Sequence, residues 1–193
     1  MTEVADQPAE HKTVDVAPDN SEKPGKRHVR SIVVLAVVAL IVYAIDLISK
    51  QLVVAHLSDG EPVRLLGGAL YLVFDRNSGA AFSIGSGYTW IFPLVTLAVI
   101  GWILWMAAKL RSVPWAIALG LVLGGALGNF TDRIFRAPGP LRGEVVDFLS
   151  LFSPTGRGFA IFNLADTALC CGVALAILLE IAGRRRDGTR VRS

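Results

Sequence analysis

Four long apolar stretches alternate with polar ones along the chain. From Ile32 the residues are apolar through Ile45, "DLISK" intervenes at 46 to 50, and "QLVVAHL" completes the first run. The others follow Trp90, Pro114 and Phe159; the one after Trp90 contains no charge, and the one after Phe159 holds Asp166 near its start. A helix rising 1.5 Å per residue needs about 20 apolar residues to cross a hydrocarbon core of about 30 Å. The pattern therefore predicts membrane spans at about 31–56, 90–108, 114–130 and 159–182. Trp90, Trp102 and Trp105, near the two ends of the second, suit the membrane interfaces. The first run is longer than a signal-peptide core and no A-x-A site follows it, so it reads as a retained helix.

The connections are uneven. Residues 1–30 mix Pro, Glu, Asp and Lys and predict a disordered leader, and "GRRRDGTRVRS" at 183–193 reads as a soluble basic tail. The connection at about 57–88 contains "PVRLLGGALYLVFDRNSGAAF", where β-branched and aromatic residues between Gly and Asn-Ser-Gly punctuation predict short strands. The connection at about 131–158 carries a Pro/Gly-rich loop, then an apolar stretch holding Asp147. The expected fold is an all-α membrane core of four transmembrane helices over 31–182, with a small extracytoplasmic β-sheet or cradle in the first outer loop.

Composition agrees with a bilayer as solvent: 193 residues are 53% hydrophobic, with a mean hydropathy of +0.54. Of 19 Lys and Arg, 12 lie on the side holding both tails and the Lys109–Arg111 turn. Six lie on the other side and Lys50 falls within a span, so both termini are expected in the cytoplasm. Basic residues gathered at tails and one turn form no aromatic-interleaved stripe, which argues against a nucleic-acid partner. The adjacent Cys170 and Cys171 are expected to pack in the core, and neither they nor His11, His28 and His56 have metal-ligand spacing. No metal or other cofactor is expected.

Polar residues of different spans converge on one depth. Counted along their helices, Asp46, Lys50 and Asp166 lie roughly 22, 28 and 24 Å from the inner face, in the outer third of the membrane. Asn129, Asp132 and Arg133 reach a similar level. Charges in a span are costly unless paired or hydrated, which makes this layer the candidate site. Gly120, Gly124 and Gly128 recur every four residues and predict close helix packing. Arg133 offers a two-pronged donor to a carboxylate or peptide carbonyl, with Asp46 as a plausible partner. Asn163 and Asp166, three apart, share a face near the start of the fourth helix. Two carboxylates, Asp147 and Asp166, brought together in a partly dehydrated site share a proton. One can then polarise water while the other protonates a carbonyl oxygen or leaving nitrogen.

The segments "DLISK" (46–50), "NSGAAF" (77–82), "GGALGNFTDR" (124–133), "GEVVDF" (143–148) and "FNLAD" (162–166), in that order among four spans, resemble the lipoprotein signal peptidases, the signal peptidase II family of bacterial membrane aspartyl proteases. The resemblance implies an enzyme of the bacterial cytoplasmic membrane that removes signal peptides from prolipoproteins, cutting before a diacylglyceryl-modified cysteine. It implies catalytic Asp147 and Asp166. It further implies substrate contact by Asn77, Asn129 and Arg133, and support from Asp46, Lys50, Asn163 and Gly125, with Asn163 orienting the dyad. Lipid-modified prolipoproteins and membrane lipids are the expected partners, and the chain is expected to act as a monomer. The "FRAPGPLRG" connection, at 135–143, is longer than the family pattern and should alter only the outer rim. At the start of a helix, Asp166 meets the positive end of the helix dipole, which assigns the proton-carrying role to Asp147.

Other readings are a proton- or ion-coupled transporter with Asp46, Asp166 and Arg133 as a relay, a Ser49–Lys50 peptidase, and a non-catalytic scaffold. Neighbouring helical residues such as Ser49 and Lys50 point about 100° apart, which disfavours the serine dyad.

Overall fold

The structure, a computed structural model, describes residues 24–79 and 88–191. In chain order these hold α1 (Pro24–Leu57), β1 (Val63–Leu65), a 3-10 turn (Leu66–Gly68), β2 (Leu70–Asn77), α2 (Ile91–Ala107), α3 (Val113–Phe135), β3 (Val145–Leu151) and α4 (Leu164–Ile181). By length and composition α1, α3 and α4 can each cross a membrane, and α2, at 17 residues, is the short apolar helix.

Polarity is inverted relative to a water-soluble bundle. Val33, Val37, Leu40, Ile41 and Ile48 of α1 are exposed, while Asp46 and Lys50 on the same helix are fully buried. Apolar side chains facing outward suit a lipid solvent, in which the polar groups must find partners inside the protein.

α3 is the central post, with α1 and α4 on either side. Glycine makes this approach possible: a Cβ at Gly120 would lie 2.9 Å from the Leu35 carbonyl oxygen, and one at Gly124 2.7 Å from Val42 Cβ. On the α4 side, a Cβ at Gly125 would meet the Ala165 carbonyl oxygen and lie 2.9 Å from Leu169 Cγ. One at Gly128 would strike the Asp46 carboxylate. The absent side chains let backbones pack and let Asp46 reach across to the start of α4.

The strands form an antiparallel sheet in the order β1-β2-β3. The sheet, expected within the first outer loop, joins two connections, because β3 comes from the connection between α3 and α4. Register pairs Asp75 with Asp147 and Asn77 with Val145, with an irregularity between Leu72 and Asp75. Val146 and Phe148 of β3 pack with Val53 of α1 in a second core beside the bundle.

Several boundaries differ from those expected. α1 begins at Pro24, so residues 24–30 of the expected leader are helical, and residues 1–23 lie outside the described ones. α3 continues to Phe135 and carries Asp132 and Arg133 as helical residues. α4 starts at Leu164 rather than near 159, because Asn163 caps it and Phe162 is held in extended form against Leu149. The expected soluble tail folds back, with Arg186 O accepting from Arg111 N and Ser112 N. Cys170 and Cys171 are exposed on α4 rather than packed in the core, which fits an apolar surface turned to lipid.

Candidate active site

The site lies where β2, β3 and the start of α4 meet the far ends of α1 and α3. Asp147, on β3, is buried, and its two oxygens are held from opposite sides. Asn77 Nδ2 donates to Oδ2 at 2.9 Å, and Asn163 Nδ2 donates to Oδ1 at 2.7 Å. Asn77 occupies the last position of β2, where its own Oδ1 accepts from Gly79 N at 2.9 Å.

Asn163 has two roles. As the N-cap of α4 it accepts from Asp166 N at 2.9 Å, and Asp166 Oδ2 accepts from Asn163 N at 3.2 Å, completing a capping box. Its amide nitrogen faces Asp147 and also lies 3.1 Å from Asn129 Oδ1. A local device for starting a helix thus fixes Asp166 in the first turn and ties it, through one side chain, to Asp147.

Asp166 is only half-buried, and its Oδ1 accepts from Asn129 Nδ2 at 2.8 Å. Lys50 governs which way the Asn129 amide points. Its Nζ donates to Asn129 Oδ1 at 2.9 Å, and an ammonium only donates, so the Asn129 NH2 must turn to Asp166. Lys50 also pairs with Asp46 at 2.7 Å and Asp132 at 3.0 Å, all three side chains being at most 2% exposed. Asp46 Oδ1 accepts from Ala165 N at 2.9 Å in the first turn of α4, and Asp132 Oδ2 accepts from Val146 N at 3.3 Å, next to Asp147. Arg136 pairs with the other Asp132 oxygen. One buried cation therefore links α1 to α3, and its two carboxylates reach on to the elements that carry Asp147 and Asp166.

Arg133 does not pair with Asp46. It donates to Asn77 O at 3.0 Å, Gly143 O at 3.1 Å and Gly79 O, and its guanidinium lies 5.3 Å from the centre of the Phe92 ring. The side chain is buried and satisfied by carbonyls that flank β2 and β3. This clamp holds the Asn77 end of the sheet. Gly125 sits behind the site, where its missing side chain admits the Ala165 backbone.

Burial raises the Asp147 carboxyl from its ordinary 3.8 to about 7, with the charge of Asp166 adding to the rise and the Asn77 and Asn163 hydrogen bonds opposing it. Asp147 therefore holds its proton much more readily than an exposed carboxylate at neutral pH. Beside the Asn77 end of the sheet, Ser78, Tyr88, Thr89, Trp90, Arg142 and Glu144 line a cavity of about 430 Å³. The "AAF" of the 77–82 segment, residues 80–82, lies outside the described residues.

Sequence reasoning left Asp132 without a role, although its spacing from Asn129 was visible. Arg133 does donate to peptide carbonyls, one of its two expected kinds of partner, but that Asn77 takes part through its own backbone carbonyl has no side-chain signal in the sequence. The expected site residues come together from the α1–α2 and α3–α4 connections and from three helices.

Residues 38–182 match the protein family described as Signal peptidase (SPase) II. The lipoprotein signal peptidase of Leifsonia xyli is 53% identical over 167 residues, 86% of this chain and 76% of that protein. That of Streptomyces coelicolor is 52% identical over 160 residues, 83% of this chain and 76% of that protein. A bacterial membrane enzyme solved by the in meso method at 2.3 Å is 30% identical and superposes with a TM-score of 0.67 over 76% of this chain and 87% of the other. A second, solved at 1.9 Å, is 31% identical with a TM-score of 0.65, covering 76% and 92%.

Proposed function

Because the chain belongs to the signal peptidase II family, we propose that it is an aspartic endopeptidase that removes signal peptides from prolipoproteins in the bacterial cytoplasmic membrane. The cut falls before the diacylglyceryl-modified cysteine. The observation that carries the aspartic mechanism is the Asn163 side chain, which donates to Asp147 while capping the helix turn that holds Asp166.

The four helices cross the membrane, α2 being just long enough at roughly 26 Å and flanked by exposed Trp90 and Trp105. Four crossings put the start of α1 and the end of α4 on one side. The excess of Lys and Arg there makes that side cytoplasmic and sets the carboxylates near the outer face. Water reaches half-buried Asp166 at that depth, while the lipid anchor of the substrate fixes the scissile bond at the same level. Alignment within the bilayer replaces much of the orientation that a soluble protease must supply.

In the reaction Asp166 acts as carboxylate and Asp147 as acid. Asp166 takes a proton from water as the water oxygen bonds to the scissile carbonyl carbon, and Asp147 gives its proton to the carbonyl oxygen. The resulting gem-diol collapses as Asp166 passes its proton to the leaving nitrogen, the C–N bond breaks, and Asp147 recovers the hydroxyl proton. Asn77 and Asn163 aim the Asp147 oxygens, Asn129 aims Asp166, and Arg133 holds the carbonyls around Asn77.

The test is to incubate purified protein with a diacylglyceryl-modified prolipoprotein peptide and its unmodified control and to locate the cut by mass spectrometry. Cleavage immediately before the modified cysteine, lost in Asp147→Asn and in Asp166→Asn, is expected. Cleavage elsewhere, or substantial turnover by either variant, overturns the reading.

A further inference from the structure

At the end of the bundle opposite the carboxylates, three separate chain segments bring arginines to one cavity of about 440 Å³. Arg27 and Arg30 come from the start of α1, Arg111 from the α2–α3 turn, and Arg184, Arg185 and Arg190 from the loop after α4. By helix rise this cavity lies roughly 24 to 28 Å from the level of Asp46. It is remote from the proposed chemistry.

The loop is built rather than trailing. Trp115 Nε1 donates to Arg184 O at 2.7 Å, Arg111 N and Ser112 N donate to Arg186 O at 2.9 and 3.1 Å, and Val191 N donates to Gly183 O at 2.8 Å. Arg186 lies 5.9 Å from the centre of the Trp115 ring. Asp187, the carboxylate of the loop, accepts from Thr189 N and Oγ1 at 2.9 and 2.7 Å. The charge of Asp187 acts on Arg185, and Arg30 has an interaction of its own, but among the described residues no carboxylate lies within ion-pair distance of Arg27, Arg111, Arg184 or Arg190. The same cavity is lined by Ser112, Val113 and Pro114, the cap and first turn of α3, where the positive end of the helix dipole points outward and Ser112 makes no side-chain cap.

A topological signal needs Lys and Arg only on the correct side; it does not need them gathered around one cavity by a hydrogen-bonded loop. Repulsion opposes such gathering unless an anion occupies the space, and arginine forks match phosphate oxygens. Val29, Val33, Trp105 and Ile181 at this end are 61%, 53%, 70% and 79% exposed, an apolar surface beside the cavity level. We propose that this cavity binds the headgroup phosphate of an anionic diacyl phospholipid, whose acyl chains lie along the exposed apolar ends of the helices. The proposal rests on the membrane reading of the fold and is independent of the aspartic dyad.

The test titrates the full chain, in a zwitterionic detergent, with dioleoyl phosphatidylglycerol, dioleoyl phosphatidylcholine or soluble glycerophosphate, and counts bound molecules by native mass spectrometry. One phosphatidylglycerol should be retained about tenfold more tightly than phosphatidylcholine, and R111Q/R190Q should weaken it roughly 10- to 30-fold. The control R76Q/R157Q removes the same charge elsewhere and should change binding less than twofold. D166N should bind the lipid normally, which separates this outcome from failure of the peptidase reading. Should R111Q/R190Q fail to fold, R111K and R190K keep the charge but lose the fork, and each should still weaken binding measurably. Equal affinity for the two lipids, equal loss in the control pair, unchanged binding in the cavity variants, or displacement of the lipid by equimolar glycerophosphate overturns the proposal.

Discussion

Replacing Asn163 with serine separates helix capping from alignment of the carboxylates. Serine caps about as well as asparagine, so the bond from Asp166 N survives. What disappears is the 2.7 Å donation to Asp147 Oδ1, together with the 3.1 Å contact to Asn129. A hydrogen bond to a charged group contributes about 1.5–3 kcal/mol. That bond favours ionised Asp147, whose carboxyl already stands at about 7, so its loss should raise the value further. At 1.36 kcal/mol per pKa unit, the rise is roughly one to two units. With Asp147 donating a proton, the alkaline limb of the kcat/KM profile should move up in pH by that amount. The rate on the plateau should fall because the carboxyl is no longer aimed. N163A should show the same shift and lose about 1 kcal/mol of stability with the cap. The assay is cleavage of a lipid-modified peptide across pH 5–9, paired with thermal unfolding of each variant. If N163S keeps the parental pH profile, or if it destabilises as much as N163A, the amide has no part in setting the dyad and Asn163 is only a cap.

The remaining predictions use the same two measurements. Burial raises Asp147 above its unfolded value, so the folded state holds the proton more tightly, and this group costs stability as pH rises from about 4 to about 7. The rise from 3.8 to about 7 is worth roughly 4 kcal/mol at most, so D147N, expected to lose cleavage, should unfold at higher temperature than the parent at pH 8, with the gap closing toward pH 4. K50M leaves the buried Asp46 and Asp132 without their shared cation and should cost about 3–5 kcal/mol; a melting temperature within a degree of the parent would show the network to be dispensable. G128A places a methyl against the Asp46 carboxylate and should sharply reduce both melting temperature and cleavage. G101A meets nothing within 4 Å and should be neutral or slightly stabilising by its helix propensity.

Depth along each helix was legible in the sequence, and azimuth was not. Asp46, Lys50, Asn129 and Asp166 could be set at one level by counting residues from the ends of their apolar runs, because helix rise is fixed. Which side of the helix each faced depends on packing, and a helix apolar nearly all round carries no stripe to read it from. Level alone therefore matches Asp46 with Arg133, whereas α1 turns it toward Lys50 and the Ala165 amide. For the same reason nothing in the sequence turns Cys170 and Cys171 outward, where they lie. The i, i+3 spacing of Asn163 and Asp166 was legible because both lie in one turn. The pairing of β2 with β3 was not, since two short runs in separate connections have no local feature that fixes their register.

The two carboxylates differ because their surroundings come from different parts of the fold. Asp147 is on a strand whose face is covered by the bundle, so burial dominates it, and its direct partners are two neutral amides rather than a cation. Asp166 is at the open start of a helix, half-exposed, with two N–H donors turned to it. The buried Lys50 stands one residue removed from this pair and touches Asp166 only through Asn129. Direct contact with a cation would have locked a carboxylate in its ionised form and removed it from proton transfer. Interposing an asparagine passes on orientation without the full charge. N129D tests this separation, since it replaces the donor facing Asp166 with a second carboxylate while keeping an acceptor for Lys50. Two carboxylates facing each other at this distance repel, so the variant should also melt at a lower temperature than the parent, while cleavage should fall 10²- to 10³-fold, about 2.7–4 kcal/mol in barrier, the scale of losing one directed donor in an active site. Retention of near-parental turnover would mean that the Asn129 amide does not position Asp166 for the reaction.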